Sequence, residues 1–104
     1  MGELAFFYIT NPSKEEAKRI AKHLLDKRII ASANIFPIES MYWWEGKITE
    51  GSEFVLIAKT SIANSQALED EVASIHPYNV PCIIRINAFA NTVFSEWLNG
   101  VVRE

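Results

Sequence analysis

Residues 31 to 47 read Ala-Ser-Ala-Asn-Ile-Phe-Pro-Ile-Glu-Ser-Met-Tyr-Trp-Trp-Glu-Gly-Lys. An extended segment ends here in an aromatic cluster and a turn at Glu45-Gly46. Proline lacks the N–H that a central ladder needs, so Ile29 to Trp43 is expected as a long strand, bent or interrupted at Pro37 and lying at a sheet edge. The turn sends Lys47 to Ser61 back as a second strand, best formed over Phe54 to Thr60, FVLIAKT. The pair makes a long hairpin.

Upstream, Leu4 to Thr10 (LAFFYIT) is a strand closed by Asn11-Pro12. Ser13 and Glu16 have capping-box spacing, and Ala17, Ile20, Ala21, Leu24 and Leu25 form one apolar helical stripe as far as Lys27-Arg28. Downstream, Asn64 or Ser65 caps a second helix running to about His76, with Leu68, Val72 and Ile75 on one face, Glu69, Asp70 and Glu71 in its early turns, and Pro77 as its stop. Val80 to Asn87 (VPCIIRIN) reads as the fourth strand. Phe94, Trp97, Leu98 and Val101 mark a terminal amphipathic helix starting at Asn91-Thr92. The order predicts an α+β, ferredoxin-like βαββαβ domain with an extra C-terminal helix, its main helices on one face of an antiparallel sheet.

The 104 residues suit one domain. A net charge of −3 from 13 acidic and 10 basic side chains, with no block of one sign, gives no basic face for nucleic acid. No segment approaches the roughly 20 apolar residues of a membrane span. The opening residues read as a strand rather than a signal peptide, and the single Cys82 suits a reducing cytoplasm.

An antiparallel sheet with one wet face alternates apolar and polar residues. Here Leu4/Phe6/Tyr8 and Ala5/Phe7/Ile9 are apolar on both faces, as are Phe54/Leu56/Ala58 and Val55/Ile57. The terminal helix can cover part of the second face. Self-association is expected to cover the rest, with Trp43 and Trp44, which alternate sides at the hairpin tip, in the oligomer interface.

These segments resemble the CutA family of divalent-cation tolerance proteins over nearly the whole chain. The matching pieces are Ala31 to Pro37, Tyr42 to Lys47, Ile57 to Thr60, His76 to Pro81, and Glu96 to Leu98. The resemblance implies a compact homotrimer whose sheets pack together and whose hairpins pair between neighbours. It also implies a link to tolerance of copper and other divalent cations without an established reaction. The chain departs from the family pattern at Ser32, where many relatives carry cysteine, and at Ile9 and Ile75, where some carry cysteine and histidine.

His76, at a helix end beside Pro77 and Tyr78, is the one metal ligand the sequence suggests, for Cu2+ or another divalent cation. The alternative is a structural histidine bonding free helix carbonyls. Cys82 reads as packed in a strand, His23 as a helix-flank residue, and Glu39, Glu45, Glu50 and Glu53 as solvated. Lys59 and Arg85 are cations inside apolar strands and, with Asn34 and Tyr42, are candidates for an intersubunit cleft. No catalytic residue or cofactor motif is assigned, because GxGxxG, Walker, GxSxG and HExxH patterns are missing. Two rival readings are a small-ligand sensor like the PII regulators and an enzyme with an intersubunit site, using His76 or Glu39 as base and Lys59 or Arg85 as electrostatic partner in a cleft between subunits.

Overall fold

The computed structural model describes residues 1–103. Its elements are β1 (Gly2–Asn11), α1 (Lys14–Asp26), β2 (Ser32–Trp44), β3 (Lys47–Thr60), a 3-10 turn (Ile62–Asn64), α2 (Ser65–Ile75), β4 (Ile83–Ala90) and α3 (Thr92–Val101). The strands form one sheet in the order β2-β3-β1-β4, every neighbouring pair antiparallel. The expected α+β order of elements is present.

Helix α1 starts where Ser13 Oγ accepts the Glu16 N–H at 3.1 Å. The capping box is half formed, because the Glu16 carboxylate turns to Arg19 instead. The helix ends without glycine: Arg28 takes φ 57°, its N–H donates to the Leu25 carbonyl, and the Ile29 N–H donates to that of Leu24. This Schellman closure explains why β2 starts at Ser32 and not at Ile29, since the intervening residues complete the helix end.

Ala17, Ile20, Ala21 and Leu24 of α1 are buried, as are Leu68 and Val72 of α2. Ile20, Ala21, Leu24, Leu68 and Val72 form one core with Ala5, Phe7, Ile9, Leu56 and Ala58 of the sheet. Each large aliphatic side chain removed from water there contributes about 1.5 to 3 kcal/mol. Residues facing one another across a ladder share a face. The register therefore directs Phe6, Tyr8, Ile57, Lys59, Ile84 and Ile86 to the other side of the sheet. There α3 covers one end, where Leu98 and Val102 pack with Leu4 and Ala31. The remainder is open, with Phe36, Ile84 and Ile86 40%, 49% and 41% exposed.

Three local expectations change. Pro37 does not interrupt β2: it sits opposite Phe54 in unbroken register, tolerated because β2 is an edge with β3 as its sole partner. Strand β4 begins at Ile83, not Val80, and residues 76–82 form an irregular strap instead. Glu69 to Glu71 occupy the middle of α2, whose first turn holds no acid.

Candidate functional site: the groove between hairpin and strap

The hairpin turns at Glu45 and Gly46, with φ of 49° and 78°, and Trp44 pairs directly with Lys47. Two left-handed residues in succession match a type I′ turn, whose twist suits the flanking strands. The two strands stay paired from Ser32–Lys59 to Trp44–Lys47, so the turn end projects as an arm. Trp43 and Trp44 are 72% and 46% exposed at its tip.

The strap crosses beside the base of this arm, held by three bonds that involve His76 and Tyr78. His76 Nε2 lies 2.8 Å from the Thr10 carbonyl oxygen, and the Tyr78 N–H donates to His76 Nδ1 at 3.1 Å. A carbonyl only accepts, so Nε2 carries the ring proton and Nδ1 is the bare nitrogen. The Tyr78 hydroxyl donates to Glu53 at 2.7 Å. Burial, followed by this carboxylate, raises the phenol well above its ordinary range. The two rings stack obliquely, centroids 4.9 Å apart.

Between arm and strap lies a groove of about 920 Å³. Tyr8, Thr10, Met41, Trp43, Glu53 and Tyr78 are among its lining residues, and Cys82 lines it too. Cys82 precedes β4 and is partly exposed, so it is not packed in a strand as its apolar neighbours suggested. The Glu53–Tyr78 pair had no local signature, its members being far apart in sequence and joined by tertiary folding alone. The same is true of Glu71, which meets His23 at 2.6 Å and Lys27 at 2.7 Å between α2 and α1. Lys27 and then His23 hold its carboxyl below the usual range.

The four cleft candidates do not converge within one protomer. Lys59 Nζ donates to Asn34 Oδ1 at 2.6 Å and stands 5.8 Å from the centre of the Phe94 ring. Tyr42 lines the groove further along the arm. Arg85 faces Phe7 across the ladder, which places it on the helical side of the sheet, and donates to Asn87. The buried Ser32 hydroxyl has no hydrogen-bond partner. Among the described residues, no three His, Cys, Asp or Glu side chains converge to hold a metal ion, and no helix is long and apolar enough to cross a membrane.

The class so defined is a small α+β protein with a four-stranded antiparallel sheet, a projecting hairpin and an apolar face left open by its own helices. The family of CutA1 divalent ion tolerance proteins matches residues 5–101, and the chain belongs to that family. It is 53% identical over 98 residues to the divalent-cation tolerance protein CutA of Archaeoglobus fulgidus, covering 93% of this chain and 96% of the relative. The Thermococcus kodakarensis CutA is 40% identical, covering 96% and 97%. Among solved structures, the periplasmic divalent cation tolerance protein CutA of A. fulgidus superposes with a TM-score of 0.93 at 45% identity, covering 98% of this chain and all of that one (100%).

Proposed function

We propose that this chain is the subunit of a ferredoxin-like homotrimer that serves divalent-cation tolerance by binding, not by catalysis. The observation that carries this reading is the open sheet face, which runs from Phe36 on β2 across to Ile84 and Ile86 on β4. Patches of this kind drive association, and the edge backbone of β2 offers unpaired groups to a neighbour. Trp43 and Trp44 are proposed to bury in that interface. The strand order and alternation of elements support the ferredoxin-like assignment. The lone thiol remains the basis for proposing a cytoplasmic setting.

A divalent cation is the ligand class that the family description supports, and Cu2+ is proposed as the ion. A single protomer brings together no set of three ligands among its described residues, so a cation site is proposed to draw on more than one chain. Asn34, Tyr42, Lys59 and Arg85 are proposed to meet groups of the neighbouring subunits. The two-residue turn disfavours the PII-like reading, which needs a long flexible loop at that place. Within one protomer the enzymatic reading has no Glu39–Lys59 site. Glu39 pairs with Ser52, seven residues from Lys59 along β3, or about 24 Å of extended strand.

Sedimentation equilibrium combined with calorimetric Cu2+ titration tests the proposal. A trimer mass with heat saturating at a fixed number of ions per trimer is expected. A monomer at tens of micromolar, or no saturable heat, refutes it.

A further inference from the structure

We infer that His76 is a positioning residue that clips the strap to the sheet, and that it is not the cation ligand its residue type suggests. Half of a metal-site arrangement is present, since a ligating histidine ordinarily directs its second ring nitrogen to a carbonyl or carboxylate. Nε2 does so with Thr10. The other half is occupied.

The Nδ1 lone pair, the sole one on the neutral ring, points at the Tyr78 N–H, with the two nitrogens 3.1 Å apart. A metal ion bonds imidazole nitrogen at about 2.0 to 2.1 Å. An ion on that lone pair would lie only about 1 Å from the Tyr78 nitrogen, inside its van der Waals radius. Cation binding at His76 therefore requires the strap to leave. Departure also strains the Tyr78 hydroxyl bond to Glu53, and no further His or Cys joins His76 in a three-ligand group among the described residues.

The same geometry gives His76 a positive role. The His76 N–H closes α2 on the Val72 carbonyl at 2.9 Å, and beyond it residues 77–82 belong to no helix or strand. His76 ties β1, through the Thr10 carbonyl, to the strap, through the Tyr78 amide. Tyr78 then reaches β3 through Glu53. The helix end before it is held by Arg19, which donates to the Ile75 carbonyl at 2.8 Å. His76 thus fixes where the Tyr78 ring stands, and Tyr78 is a wall of the groove. This inference is independent of the subunit number.

The test uses the intact protein with Zn2+ as a diamagnetic probe. Long-range 1H–15N spectra of the wild type at pH 7.5 are expected to show the Nε2–H tautomer, with the His76 ring and Tyr78 amide unshifted by one equivalent of Zn2+. In His76→Ala, the Tyr78 amide is expected to exchange with solvent more than tenfold faster, and His76→Gln, which keeps a donor and an acceptor, recovers part of the protection. An Nδ1–H tautomer, a Zn2+-induced shift at the His76 ring, or unchanged Tyr78 exchange in His76→Ala overturns the inference. The wild-type spectra decide the ligand question even if His76→Ala fails to fold.

Discussion

Replacing Ile86 by aspartate separates assembly from folding. Ile86 faces Phe6 across the ladder on the open side of the sheet and is 41% exposed. In the proposed trimer, covering that remaining surface contributes about 1 kcal/mol, a fraction of the roughly 1.5 to 3 kcal/mol for full burial. Aspartate forfeits this and buries an unpaired carboxylate, which costs about 3 to 5 kcal/mol in comparable settings. The sum is about 4 to 6 kcal/mol per chain. Three equivalent positions make it about 12 to 18 kcal/mol per trimer, or roughly nine to thirteen decades in the dissociation constant. The protomer itself should tolerate the change, because a side chain at this position reaches water. Sedimentation velocity from 1 to 100 μM is expected to find a monomer, with circular dichroism matching the wild type. A variant that stays trimeric refutes the assignment of this face to the interface, and one that unfolds refutes the separation of assembly from folding.

Three further outcomes follow from local geometry. Arg28→Gly removes the left-handed strain at the end of α1, and chemical denaturation should show about 1 kcal/mol of added stability. Gly2→Ala should destabilise by about 1 to 3 kcal/mol in the same assay, because an added Cβ would lie 2.2 Å from Ser95 Oγ beneath α3; Ser95→Gly in the same chain should recover part of the loss. Glu71 has a depressed folded pKa, so its contribution is present above the ordinary carboxyl value of about 4.3 and fades as pH falls through the folded value. The difference between the melting temperatures of wild type and Glu71→Gln should shrink as the pH is lowered below about 5; a gap unchanged down to pH 3 would contradict the pairing with Lys27 and His23.

The sequence revealed what is periodic or locally punctuated. The Ser13 cap, the helical stripe and the Glu45-Gly46 turn depend on neighbours within a few residues and formed as their patterns implied, save that Leu25, at the edge of the stripe, is 39% exposed. Doubly apolar strands also pointed to a second covered face, which α3 partly supplies. Boundaries failed where long-range closure decided them. Ile29 looks like strand, yet its N–H closes α1 and its carbonyl accepts from Thr60 and Asn64. Val80 to Cys82 continue an apolar run, but the strap that starts at His76 holds them short of β4. The groove was the least legible part. Its wall depends on Tyr78 meeting Glu53 and on which nitrogen of His76 carries the proton, and neither has a sequence period.

The tight turn at Glu45-Gly46 also bears on how subunits would meet. A two-residue connection lets β2 and β3 zip from the tip with little loop-closure entropy, and β1 then anchors the base of the arm. Such an arm would take its shape before any neighbour arrives. Encounter would then dock preformed surfaces, without the ordering entropy that slows and weakens association coupled to folding. In the proposed trimer, the arm's twist would thereby set in advance the angle at which a neighbouring subunit is accepted.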